Sequence, residues 1–183
     1  MGEILKFPGD AGRPGYRRVR KRCRHADDPN QLDLFLPPVA RISGKPPALS
    51  TFEQALQYDE RDDARAADLY AKAIAKQECV ADAYCNLGII ESKKGNTAKA
   101  VDCFTTALKN DPRHSEAHYN LASLYFEVND HRLAQIHYEI AAEVDPSFAN
   151  VHFNLALVQS INNELSAAID TLTRYQQLAP PED

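Results

Sequence analysis

The 183-residue chain lacks an apolar run long enough to cross a bilayer's hydrocarbon core, so no membrane-spanning helix is expected. Its opening stretch, MGEILKFPGD, lacks the apolar h-region of a secretory signal. A cytoplasmic setting is the expectation. The four cysteines, Cys23, Cys79, Cys85 and Cys103, contain no C-x-x-C pair, the spacing of common zinc and redox sites. They read as structural thiols, small apolar groups where a helix buries them. There is no H-E-x-x-H, no glycine-rich phosphate loop, and no Ser/His/Asp set that can be argued. No catalytic residue, metal or cofactor is therefore assigned, and the chain reads as a non-enzyme. What is present is ordinary apolar content, 44%, sufficient to build a core.

Charge is unevenly divided. Residues 1–50 hold ten Lys and Arg against five Asp and Glu, whereas 51–183 hold eleven against twenty-one. A basic tail attached to an acidic body can fold back on that body or reach an acidic partner.

The body repeats every 34 residues, with windows 81–114, 115–148 and 149–182 aligning without a gap. Leu87, Leu121 and Leu155 fall in register, as do Gly88, Ala122 and Ala156. Ala100, Ala134 and Ala168 follow, then Phe104, Tyr138 and Leu172, then Pro112, Pro146 and Pro180. Each window predicts two antiparallel helices, A and B. In 81–114 these run over about 81–94 and 97–110, with Gly95-Asn96 as the turn because Gly and Asn tolerate positive φ. Asn129-Asp130 and Asn162-Asn163 stand at the matching places. Asp111-Pro112 and Asp145-Pro146 close the B helices, since Pro cannot continue one. The small residues let A and B approach closely, and the large ones fill the space around them. A degenerate repeat over 47–80 precedes these: Ala66, Tyr70 and Ala73 fit helix B. Ala55 and Tyr58 fit helix A if the turn at Glu60–Asp63 is one residue shorter. After a last helix at 165–178 the chain ends abruptly, so Ile169, Leu172 and Tyr175 are expected to be partly exposed. Either Tyr175 covers the open end or a partner docks there.

This order of large, small, small, large and Pro resembles the tetratricopeptide (TPR) pattern. The resemblance is strong over 81–183 and weaker over 47–80. It implies an all-α solenoid of about four helix-turn-helix repeats, eight helices, in a right-handed superhelical arc whose concave face is made by A helices. The last helix, AIDTLTRYQQL at 168–178, also resembles the end of TPR domains found behind MerR-type DNA-binding heads in bacteria. The first 46 residues are too short for such a head and lack paired helices.

Asn86, Asn120 and Asn154 occupy one place in three successive A helices, in the strings YCNLG, HYNLA and HFNLA. Such amides can hold an extended peptide by its backbone, because each both donates and accepts. Helix–helix hydrogen bonding is the other reading. The row is similar to the asparagine ladder in the TPR superhelix of O-linked sugar transferases, whose catalytic part is absent here. Beside it stand Cys85, Tyr119 and Phe153, with Phe52 as the first-repeat equivalent; Tyr119, Phe153 and Phe52 are candidate apolar anchors. TPR domains that clamp chaperone carboxylates use Lys and Arg on inner A-helix positions. This chain has Asp82, Glu116 and Asn150 there, which argues against such a clamp. His114 and His118 are i,i+4, but the repeat places the first in a loop and the second, with His152, at inter-repeat packing positions, so no metal is assigned.

Residues 1–46 carry Gly, Pro and charge with little periodicity and read as a disordered tail. Arg17, Arg18, Arg20, Lys21, Arg22 and Arg24 form a cationic cluster. It can neutralise nucleic-acid phosphates or touch the acidic array. Gln31-Leu32-Asp33-Leu34-Phe35 resembles the short motif by which bacterial DNA polymerases and repair proteins dock on the sliding clamp, where Gln31, Leu32, Leu34 and Phe35 would fill small pockets. Alternatively, Leu32, Leu34, Phe35 and Leu36 pack on the array's own groove. The expected function is a protein-interaction adaptor for a peptide or partner helix. The alternative is a DNA-transaction accessory reaching the clamp or nucleic acid through its tail.

Overall fold

A computed structural model describes residues 15–20 and 49–179. Among the described residues all regular structure is α-helical. The order is α1 (Thr51–Asp59), α2 (Arg65–Ala75), α3 (Val80–Lys93), α4 (Thr97–Asn110), α5 (Ser115–Glu127), α6 (His131–Val144), α7 (Ala149–Ile161) and α8 (Leu165–Leu178). Consecutive helices pack as hairpins, α1 on α2, α3 on α4, α5 on α6 and α7 on α8, and each hairpin packs mainly on its neighbours. This is the eight-helix solenoid that the period implies.

The turn within every hairpin has the same construction. Asp62, Gly95, Asn129 and Asn163 all adopt positive φ, between 51° and 78°. The residue after each then donates its N–H to a carbonyl five positions back: Asp63 to Tyr58, Asn96 to Glu91, Asp130 to Tyr125 and Glu164 to Gln159. That is the six-to-one bond of a Schellman ending, which satisfies orphan carbonyls of the A helix. Between repeats, Asp111 and Asp145 are extended, with φ of −138° and −130°, because the proline that follows each disfavours helical geometry. The degenerate repeat uses another exit, through Gln77 and Cys79 at positive φ.

The register of small residues forms the hairpin seams. Ala66, Ala73, Ala100, Ala107, Ala134 and Ala141 are all 1% exposed or less. Gly88 is placed against the ring of Phe104, where an added Cβ would lie 2.7 Å from Cε1. The histidines follow the repeat as well. His118 Nε2 contacts the Pro112 carbonyl at 3.2 Å, and His152 Nε2 makes the equivalent contact to Pro146 at 3.0 Å. His114 caps α5: its Nδ1 accepts from Ala117 N–H, so its Nε2–H donates to Asp82 at 2.9 Å.

Two expectations change. Phe52 is 2% exposed and packs on Tyr70, ring centroids 5.7 Å apart, in the core of the first hairpin. There the short α1 uses it to seal against α2. Cys79 is disulfide-bonded rather than a free thiol, while Cys85 and Cys103 are free. In the last hairpin, Tyr175 packs at a tilt on Phe153, ring centroids 5.3 Å apart, and is only half-buried, and Ile169 remains 66% exposed.

Candidate functional site

The concave groove is occupied. Residues 15–20 of the tail, expected to lack order, lie along the A helices as a chain without regular structure of its own. Two of the three aligned asparagines hold it by its backbone. Asn120 Oδ1 accepts from Arg17 N–H at 2.7 Å, and Asn120 Nδ2 donates to the Arg17 carbonyl at 2.9 Å. Asn86 treats Val19 identically, accepting from its N–H at 2.8 Å and donating to its carbonyl at 3.0 Å. In an extended chain the polar groups of alternate residues share one edge. Residues 17 and 19 therefore meet amides from successive repeats, while residue 18 turns its backbone away. The segment runs antiparallel to the array, since residue 17 meets α5 and residue 19 meets α3.

The third asparagine behaves differently. Asn154 Nδ2 donates to the Tyr119 hydroxyl at 3.0 Å. Tyr119 is 3% exposed, and burial pushes its hydroxyl pKa up to about 12. Asn154 thus makes the helix–helix contact that was the other reading of the row, whereas Asn86 and Asn120 make backbone contacts. Asn86 Nδ2 also reaches the Tyr70 hydroxyl at 3.1 Å. Phe153 lies beside a cavity of about 360 Å³ along α7 and α8 that Leu157, Leu165 and Ile169 also line.

Four tail side chains have seats. The Tyr16 hydroxyl donates to Glu127 at 2.8 Å and accepts from Ser92 Oγ at 2.6 Å, and its ring stacks on Phe104. Burial is the main reason its pKa is raised. The Arg17 guanidinium lies 3.8 Å over the Phe148 ring, a cation–π contact. Arg18 Nε lies 2.7 Å from Asp59 Oδ2, as an ion pair rather than a directed hydrogen bond, with Asp62 further off at 3.7 Å. Val19 is 1% exposed and joins the core cluster of Cys85, Ile89 and Leu121. Arg20 is exposed, 4.0 Å from Glu60.

Asp59 is the residue that sequence reasoning missed. It closes α1 and is 3% exposed. Burial raises its pKa, opposed by the Arg18 charge and by the hydrogen bond that the Tyr70 hydroxyl donates at 3.0 Å. A continuous path therefore runs from the Val19 backbone through Asn86, Tyr70 and Asp59 to the Arg18 side chain. The remaining space beside the tail is a cavity of about 860 Å³, lined in part by Ile89, Glu116, Tyr119, Phe148 and Asn150.

Of the remaining sequence candidates, Gln31, Leu32, Leu34, Phe35, Lys21, Arg22 and Arg24 lie outside the described residues. Arg17 and Arg18 are engaged by the array itself. Among the described residues no group of three or more His, Cys, Asp or Glu is placed to hold a metal, and no helix is long and apolar enough to cross a membrane.

Comparison with known proteins agrees with the geometry. Tetratricopeptide repeat models match residues 81–114, 103–136 and 121–183, and none of the three describes a MerR-type regulator. No curated protein matches the chain. Similar solved structures include a MamA RS-1 double mutant (TM-score 0.62, 20% identity, covering 72% of this chain and 75% of that one). Another is MamA (TM-score 0.59, 19% identity, 73% and 77%). A third is the second TPR of Spaghetti (RPAP3) bound to the HSP90 peptide SRMEEVD (TM-score 0.52, 18% identity, 54% and 92%). The matched models tile 81–183 and the hairpins continue the same architecture through α1 and α2: the chain belongs to the tetratricopeptide-repeat family.

Proposed function

We propose that the protein is a non-enzymatic adaptor whose concave groove binds an extended polypeptide by its backbone. The observation that carries this is the paired contact of Asn86 and Asn120 with Val19 and Arg17: two side-chain amides satisfy donor and acceptor of alternate residues. Such contacts are independent of side-chain identity, so they give affinity, and the neighbouring pockets give selectivity. A TPR structure of the same fold was solved with a bound peptide, which supports a peptide as ligand class. That peptide, SRMEEVD, is acidic, whereas this groove presents Asp59 and Glu116, so its chemistry is not transferred. A nucleic-acid or clamp role through the tail draws no support from the groove, where Arg17 and Arg18 are turned to Phe148 and Asp59.

Peptide-display selection on the full chain, repeated on N86A/N120A, tests this reading. Enriched peptides that bind the double variant at least about tenfold more weakly, a loss of roughly 1.4 kcal/mol or more, support the groove. Peptides retained equally by both chains remove the asparagines from the mechanism, and no enrichment removes the adaptor.

A further inference from the structure

We propose that the groove reads short basic segments in the order aromatic–Arg–Arg–aliphatic, with Tyr16–Arg20 as its resident ligand in cis, which a partner segment of the same chemistry displaces. This rests on the peptide-binding reading above and adds to it the ligand class and a built-in competitor.

Four side chains of the resident segment, Tyr16 to Val19, each meet a matching group. The phenol of Tyr16 sits between a donor, Ser92, and an acceptor, Glu127. The guanidinium of Arg17 covers an aromatic face, and Val19 fills an apolar seat. The discriminating position is residue 18. Asp59 is buried with its carboxylate toward the groove, hydrogen-bonded by Tyr70 and neutralised by Arg18. A buried carboxylate deprived of its cation is strongly disfavoured, so a ligand with an acid or a neutral group at this place leaves the site uncompensated. Arginine suits it through a delocalised charge that is less strongly hydrated than an ammonium. The body's excess of acidic residues, twenty-one against eleven basic, favours the same sign of ligand. Covalent attachment makes the tail an intramolecular ligand, so an external segment competes with an effective concentration instead of a free one. If the tail fills nine-tenths of grooves, apparent affinity for an external segment falls about tenfold.

The test uses the full chain in reducing buffer, which opens the Cys79 disulfide, and a fluorescent synthetic peptide with the sequence of residues 14–21, PGYRRVRK. R18E/V19D places an acid opposite Asp59 and a charge in the apolar seat to empty the groove; R18Q/V19A serves if circular dichroism shows lost helix. The emptied chain should bind the probe at least about tenfold more tightly than the unaltered chain. Replacing the second arginine of the probe by Glu, or adding D59N to the emptied chain, should each weaken binding by roughly tenfold or more. Equal affinity for emptied and unaltered chains overturns the competitor. Indifference to both charge changes overturns the basic selectivity. Adding N86A/N120A to the emptied chain separates the two levels. Asparagine-dependent binding with no gain on emptying leaves the adaptor reading standing and sinks this inference. Asparagine-independent binding sinks the adaptor reading itself.

Discussion

Gly88→Ala sets two effects of opposite sign against each other. Gly88 lies inside α3, where alanine is favoured over glycine by about 1 kcal/mol from helix propensity alone. Its counterparts in the next two repeats, Ala122 and Ala156, carry that methyl already. In α3 the methyl would lie 2.7, 2.8 and 3.0 Å from Cε1, Cδ1 and Cζ of Phe104. Phe104 is fully buried, and Tyr16 stacks over it with centroids 6.3 Å apart, so the ring cannot swing away as a flexible chain end could. Overpacking costs about 1–3 kcal/mol; three contacts at or inside 3.0 Å put this site near the upper figure. The net is a loss of about 2 kcal/mol. With a urea slope of about 1–3 kcal/mol per molar, the unfolding midpoint followed by circular dichroism should drop by roughly 1 M. Phe104→Leu in the same chain makes room, so the double variant should lose less than the sum of the two single losses. A midpoint raised by Gly88→Ala, or strict additivity with Phe104→Leu, would refute the close-approach account.

Three further outcomes are expected. Leu121, 1% exposed and in the same core cluster as Val19, should cost about 2–5 kcal/mol as Leu121→Ala in urea unfolding. Burial pushes the His137 pKa down to about 4, with His118, also lowered by burial, 3.0 Å away across facing Nδ1 atoms. Its folded pKa lies below the unfolded value of about 6.5, so the stability from keeping it neutral is whole above that value and is lost as pH falls toward 4. His137→Gln should flatten the decline between those limits in pH-dependent thermal unfolding; an unchanged slope refutes the assignment. Finally, burial raises the Cys103 thiol to about 11 and the Cys85 thiol further. In a chromogenic thiol assay Cys103, half-buried, should react slowly and Cys85 only on unfolding; labelling Cys85 first would contradict its placement.

The repeat was legible because it is written many times. Gly95, Asn129 and Asn163 mark the same turn, so one ambiguous residue is corrected by two others. The asparagine row was legible for the same reason, although its members' separate roles were not. The ligand of the row was hidden. Tyr16–Arg20 has no counterpart elsewhere in the chain, and a run of arginine is equally compatible with a solvated tail or a phosphate contact. Asp59 was hidden too: an acid ending a short helix normally faces water, and its burial depends on Tyr70 and on Arg18, which lies 41 positions upstream. Phe52 misled because alignment to Cys85 carries a residue to an equivalent backbone place, whereas the bulk of its side chain decided where it packed.

Among the described residues the row makes two rungs, and the places on either side of them differ. Toward the start of the array, the place equivalent to Asn86 is Glu53, given the one-residue-shorter turn. Glu53 closes the capping box of α1 with Ser50. Toward the other end, Asn154 is committed to Tyr119. An extended chain advances about 6.6 Å over two residues, less than the roughly 8–10 Å between packed helix axes. A peptide that meets one amide per repeat therefore falls behind the array at each step. Two adjacent asparagines with pliable side chains absorb one step. A third would have to reach back to Gly15, and Asn154 instead spends its donor within the array. The proposed ligand would then be short and anchored at two alternate residues, with selectivity set by a few side chains such as the one facing Asp59.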